Sequence, residues 1–118
     1  MASVPVTNTI NYLELPMTDP AATRTFYGTA FGWTFTEWGP DYLSFDGAGL
    51  DGGFDRTRPV GPRDAGPLPV LYAADLAAAQ AAIEAAGGAI VKPIFTFPGG
   101  RRFHFTDPTG NELAIWSE

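Results

Sequence analysis

Only a few side chains in this 118-residue chain could do acid–base chemistry inside a folded core. Its single histidine, His104, stands in the run Arg102-Phe103-His104-Phe105. Alternate residues of a strand share a face, so Arg102 and His104 project together and the two phenylalanines project the other way. Glu14 lies between Leu13 and Leu15 in another alternating run, with Tyr12 on its own face. A carboxylate among apolar neighbours is costly unless it is paired or protonated. Arg102 or His104 could supply the partner from across a sheet. A Glu–His pair is also a serviceable general acid/base. Glu14 and His104 are therefore the candidate catalytic residues, and a plain structural salt bridge is the bland alternative. Glu112 shares a face with Ala114 two residues later. Its place beside a turn marks it as a solvated residue at a rim.

These residues need elements to position them. Residues 9–17 alternate as a strand. Thr18-Asp19-Pro20 then signals a helix start, since Asp or Thr caps free amides and Pro is tolerated at the first helical position. Ala22, Phe26, Tyr27 and Ala30 recur on one face of that helix, and Gly32 is a left-handed stop. Short strands are predicted at 33–38, 42–45 and 50–56, separated by Gly and Asp. Residues 57–67 hold three prolines and two glycines, the composition of a connector. The pattern then restarts. A strand over 68–74 leads to a helix capped by Asp75, with Leu76, Ala79, Ala82, Ile83 and Ala86 on its face, ended by Gly87-Gly88. Strands follow at 89–94, 101–106 and 111–116, the last two joined by the turn Asp107-Pro108-Thr109-Gly110.

The restart is a repeat. Asp19 and Asp75 lie 56 positions apart, and so do Gly32 and Gly88. Each unit has one helix and a small sheet, too little to bury an apolar face alone. Packed together, the two units make one α+β domain: two βαβββ modules forming a curved mixed-sheet cup with the helices outside. Module one spans about 8–56, the connector 57–67 and module two 68–118. Tyr42 and Ser44 are the first module's counterparts of Arg102 and His104. The expected ligand-binding lining of the cup is thus Tyr12, Glu14, Tyr42, Ser44, Arg102, His104 and Glu112, with Trp116 at the rim. Trp38, Phe95 and Phe97 are further rim candidates. The stretch Phe95 to Gly100 pairs bulky aromatics with glycine hinges and is a candidate mobile lip.

Composition bounds the partners. Hydrophobic residues make up 45% and charged residues 17%, the balance of a packed domain. A net charge of −6 argues against nucleic acid and anionic membrane, which need a basic face. No apolar run approaches membrane-spanning length, and the first residues lack the basic and apolar regions of a secretory signal. The chain has no cysteine, which removes disulfides, thiolate metal sites and cysteine nucleophiles, and fits a cytoplasmic protein.

The segments Asn11 to Pro20, Phe26-Tyr27 and Phe31-Gly32-Trp33 resemble the first half of a vicinal-oxygen-chelate domain. This is the superfamily of glyoxalases, bleomycin-resistance proteins and extradiol dioxygenases. Tyr72 to Leu76, Ala85 to Gly88 and Arg102 to Trp116 resemble its second half, and Phe105-Thr-Asp-Pro-Thr-Gly-Asn111 is the most specific piece. The resemblance covers nearly the whole chain. It implies a homodimer, because paired subunits commonly complete the cup. It also implies where a metal would sit, since metal-using members carry His, Gln or Glu at four inner positions. Here those positions fall on Tyr12, Leu68, Ala114 and the neighbourhood of Gly53. None carries a nitrogen or carboxylate donor, and such a site needs three or four. No cofactor is expected, save a weak divalent metal at Glu14, His104 and Glu112.

Fold does not choose function in such a family. Three readings follow. The first is a metal-free protein binding a small, partly aromatic or anionic molecule in its cup. The second is a lyase, isomerase or hydrolase using Glu14 and His104. The third is a non-catalytic dimeric module whose cup is filled by its own side chains.

Overall fold

The structure, a computed structural model, describes residues 4–118. Both helices begin and end where the residue types require. In α1 (Pro20–Phe31) the Asp19 carboxylate accepts the Ala22 amide at 3.1 Å, Pro20 occupies the first turn, and Gly32 closes the helix at φ 74°. In α2 (Leu76–Ala85) Asp75 accepts the Ala78 amide at 3.0 Å. Gly87 at φ 95° follows, and the Gly88 amide returns to the Ile83 carbonyl. Only a residue at ease in the left-handed region makes that closure cheaply. Among the described residues no helix is long and apolar enough to cross a membrane.

Eight strands form two four-stranded mixed sheets. The first contains β1 (Tyr12–Pro16), β2 (Thr34–Glu37), β3 (Tyr42–Asp46) and β4 (Asp51–Asp55) in the order β1-β4-β3-β2. The second contains β5 (Val70–Tyr72), β6 (Ala89–Phe97), β7 (Gly100–Thr106) and β8 (Glu112–Ser117) in the order β5-β8-β7-β6. The first strand of each module runs parallel to the last, and the other pairs are antiparallel. The chain is therefore α+β, with two βαβββ modules.

One core serves both modules. Leu43, Phe45 and Phe54 from the first sheet and Phe103, Phe105, Leu113 and Ile115 from the second meet Phe26, Tyr27, Leu76 and Ile83 of the helices. Trp33 stacks between Tyr27 and Phe45, with ring centroids at 5.0 and 4.9 Å. The Phe26 ring of module one lies 6.1 Å from Phe105 of module two. Gly88 admits this contact, because a Cβ there would stand 2.8 Å from the Phe26 ring.

Buried polar groups join the modules a second time. Asp107 Oδ1 accepts the amides of Thr109, Gly110 and Asn111, which shapes the last turn. Its Oδ2 accepts the Tyr27 hydroxyl at 2.8 Å and Asn111 Nδ2 at 2.9 Å. Asn111 Nδ2 also reaches the Pro16 carbonyl at the end of β1, at 2.8 Å. Burial holds the Asp107 carboxyl above its ordinary range against the lowering effect of these donors. It pushes the Tyr27 phenol up as well, with the neighbouring Asp107 charge adding to the effect.

Three expectations from the sequence need correction. The first strand begins at Tyr12 rather than at residue 9, because the chain turns just before it and Asn8 takes a positive φ. Module two opens with only Val70–Tyr72, so Leu68 precedes the strand. Phe95 and Phe97 belong to β6, a nine-residue strand with register shifts on either side of Lys92. The bulges let one strand continue where alternation breaks in the sequence. The aromatic stretch is thus paired sheet ending in a tight hairpin, not a lip.

Two substitutions test this account. Gly52→Ala would place a Cβ 2.3 Å from the Leu13 carbonyl oxygen, so a loss of about 3 kcal/mol is expected. Asp107→Ala strands the turn amides and the Tyr27 hydroxyl, with an expected loss of about 3 kcal/mol or more. Urea unfolding measures both, and a change under about 1 kcal/mol would contradict the assigned role.

Candidate functional site

The sheet faces turned away from the helices carry the polar residues. Cross-strand pairing sets Glu14 beside Gly53 and Ser44 beside Gly53 in the first sheet. In the second it sets Arg102 beside Trp116, His104 beside Ala114 and Thr106 beside Glu112. Directly paired residues share a face, so the expected lining does lie on the faces opposite the core. The side chains then sort into two clusters.

The first cluster is a phenol chain. The Tyr42 hydroxyl donates to Glu14 Oε2 at 3.1 Å, and the Tyr12 and Tyr42 hydroxyls are hydrogen-bonded to each other. With its own proton committed to Glu14, Tyr42 accepts from Tyr12. Burial pushes the Tyr42 phenol far above its ordinary value, and the Tyr12 bond and the Glu14 carboxylate push the same way. The Tyr42 ring lies over the bare backbone of Gly53, where a Cβ would come within 2.4 Å of its hydroxyl. Beside it, the Trp38 indole N–H donates to Ser44 Oγ at 2.9 Å.

The second cluster is a buried carboxylate between a histidine and an arginine. Glu112 Oε2 meets His104 Nδ1 at 2.7 Å, and Oε1 meets Arg63 Nη1 at 2.6 Å. The His104 and Glu112 side chains are only 3% and 6% exposed. Burial alone would raise the Glu112 carboxyl, but the hydrogen bonds from His104 and Arg63 outweigh it and hold the group below its ordinary value. Glu112 is therefore not the solvated rim residue that its neighbouring turn suggested. Next to this pair, the Arg102 guanidinium lies 5.3 Å over the Phe95 ring and 5.7 Å over Phe97. Trp116 meets Tyr72 edge to face at 5.1 Å and Phe97 at 6.4 Å.

The expected partnership of Glu14 with His104 or Arg102 does not form. Glu14 takes Tyr42 instead, with Arg58 Nη1 4.0 Å away, and His104 takes Glu112. The physical reason is reach. Each carboxylate finds a donor on its own sheet and an arginine from the connector before it meets the opposite sheet.

Arg58 and Arg63 are the residues that sequence reasoning missed. Composition made 57–67 a spacer, whereas it runs past both carboxylates. With Glu14 and Glu112 it walls a cleft of about 270 Å³. A second cleft of about 290 Å³ is apolar, lined by Leu13, Leu15, Trp33, Phe45, Leu71 and Leu113. Leu13, Leu15, Pro67 and Pro69 line both, so both follow the seam between the modules. The one available signal was that two of seven cations stand five apart in a chain with two carboxylates facing inward.

A metal of the vicinal-oxygen-chelate kind does not fit these residues. At its four positions stand a phenol already hydrogen-bonded, a leucine ahead of its strand, the buried methyl of Ala114, and a glycine covered by Tyr42. Among the described residues no three His, Cys, Asp or Glu side chains gather as metal ligands.

Paired βαβββ modules, with sheets facing away from two outer helices, define the vicinal-oxygen-chelate class of fold. The family model of the Glyoxalase/Bleomycin resistance protein/Dioxygenase superfamily matches residues 9–115, and this chain belongs to that superfamily. Solved structures agree on the fold. A glyoxalase-related enzyme from Fulvimarina pelagi superposes with a TM-score of 0.78 at 22% identity, over 94% of this chain and 88% of that one. TioX from Micromonospora sp. ML1 gives 0.71 at 22% identity, over 93% and 98%. A lactoylglutathione lyase from Agrobacterium tumefaciens gives 0.70 at 17% identity, over 93% of each chain. No curated protein matches the sequence.

The lowered carboxyl of Glu112 sets a pH dependence. A group whose value falls on folding contributes stability that is present above the ordinary carboxylate range and lost as pH drops through the folded value. The stability gap between the wild type and Glu112→Gln is therefore expected to shrink between about pH 6 and about pH 3. Urea titrations at several pH values measure it, and a gap constant across that window would refute the assigned pairing.

Proposed function

We propose that this protein binds a small, planar, partly aromatic molecule in its sheet cup without using a metal. The carrying observation is the contrast between floor and rim. Glu14, Glu112 and the inner nitrogen of His104 already have partners within the protein. Around them Tyr12, Trp38 and Tyr72 remain 45, 66 and 51% exposed. Aromatic side chains with one face free suit a flat apolar ligand, and neighbours that leave them room suit entry from solvent. The exposed Ile10, Val70 and Tyr72 also leave apolar surface for a second copy of the chain, which would complete the cup as the homodimer expected from the resemblance.

One observation favours an enzyme as the second reading. The His104–Glu112 pair is the arrangement of a base held by a carboxylate, with the other ring nitrogen left free. In such a lyase or isomerase, Glu112 rather than Glu14 would orient His104.

Fluorescence titration with 8-anilinonaphthalene-1-sulfonate, a planar aromatic probe, tests the main reading. Saturable binding is expected, weakened about fivefold or more in Tyr72→Ala and Trp38→Ala, since a stacked aromatic contact is worth about 1 kcal/mol beyond its buried area. Absent binding, or binding that ignores both substitutions, would sink it.

A further inference from the structure

We infer that the cup's ligand carries a carboxylate, taken up by Arg102 and His104 on the face of β7; this rests on the small-molecule reading above and names the ligand class. Only three buried side-chain polar atoms of the described residues lack a hydrogen-bond partner, and two of them are Arg102 Nε and His104 Nε2. They belong to alternate residues of one strand, and so to one face. Phe103, between them, points into the core and is fully buried. A buried polar atom without a partner is unfavourable, and two such atoms on one strand face are the mark of a missing partner.

The charges point the same way. Arg102 forms no ion pair among the described residues; its guanidinium lies over the Phe95 and Phe97 rings. Arg24, Arg58 and Arg63, in contrast, each lie by a glutamate. A cation on the cup face without a protein counter-charge, in a chain of net charge −6, awaits an anion. Residues two apart on a strand face stand about 7 Å apart at Cα. A carboxylate has two oxygens, one for each side chain, and each would take a charged hydrogen bond of about 2.8 Å.

Glu112 decides which histidine nitrogen is involved. It engages Nδ1, with Arg63 behind it, so Nε2 is the nitrogen left for a ligand. With Nδ1 turned to Glu112, any hydrogen bond from the His104 ring to a ligand runs through Nε2. The titratable and charged groups around it are Glu112 on β8, Arg63 from the connector, Arg102 on its own strand and Lys92, its pairing partner on β6. Phe95, 5.8 Å from the His104 ring and under Arg102, supplies a flat wall beside the anion. An aromatic carboxylate offers both an anion for Arg102 and a flat face for Phe95, whereas a neutral ring of the same shape leaves the Arg102 charge without a counter-charge.

Two probes of one shape test this: 1-naphthoate and 1-naphthamide, titrated by calorimetry into the wild type, Arg102→Met and His104→Gln. Arg102→Met keeps a side chain over the two rings and removes the charge. The expected result is at least a tenfold preference of the wild type for the naphthoate, lost in Arg102→Met and reduced in His104→Gln, with naphthamide affinity unchanged within about twofold. Equal affinities in the wild type overturn the carboxylate inference and leave the cup reading standing. A preference that survives Arg102→Met also overturns it, because the anion then sits elsewhere. Failure of both probes to bind overturns the cup reading and this inference with it.

Discussion

The carboxylate of Asp107 is the interaction on which the rest of the structure depends. It closes the last turn through three backbone amides, receives the Tyr27 hydroxyl from the helix of the other module, and orients the Asn111 amide group. Through Asn111 the end of β1 is tied to the start of β8. Glu14 lies two residues before that tie and Glu112 one residue after it. Both carboxylates of the cup are thus positioned by one buried acceptor that is itself remote from the cup face. Burying it raises its carboxyl above the ordinary range, and the surrounding donors limit that cost.

The two modules repeat in backbone but not in polar chemistry. Module one presents hydroxyls that end on Glu14, and module two presents a histidine that ends on Glu112. The connector resolves the charge of both, with Arg58 on one side and Arg63 on the other. The glutamate that lines the cup most deeply is held by two charged hydrogen bonds, whereas Glu14 is more exposed and its arginine more distant. An ion pair out of water gains more from good geometry than one in it, so the Glu112 cluster is the stiffer of the two.

That arrangement bears on what the cup can do. In a superfamily with metal-dependent chemistry, the four inner positions here are given to a phenol, two apolar residues and a glycine. Tyr42 fills the space over Gly53 that a ligating side chain would need. What remains is an aromatic rim, an unneutralised arginine and one histidine nitrogen. Stacking and charged hydrogen bonds are the interactions that such groups can offer.

Much of the fold was legible in the residues. Asp19 and Asp75 before helical patterns, and the glycines after them, bounded both helices, because capping is local chemistry set by a few neighbouring atoms. Strand alternation placed Tyr12, Glu14, Arg102 and His104 on the faces opposite the core, and the repeat predicted two modules. Partnership was not legible. Whether Glu14 met His104 or Tyr42 depended on which strands share a sheet, and whether Glu112 was solvated or sealed depended on where a Pro- and Gly-rich connector crossed the cup. No periodicity describes such a segment. Sequence alone determined where the helices begin and end and which face each cup residue shares. Only the tertiary structure decided which charges neutralise one another, because ion pairs form through space between elements distant along the chain, and the connector's path brings Arg58 and Arg63 to both carboxylates at once.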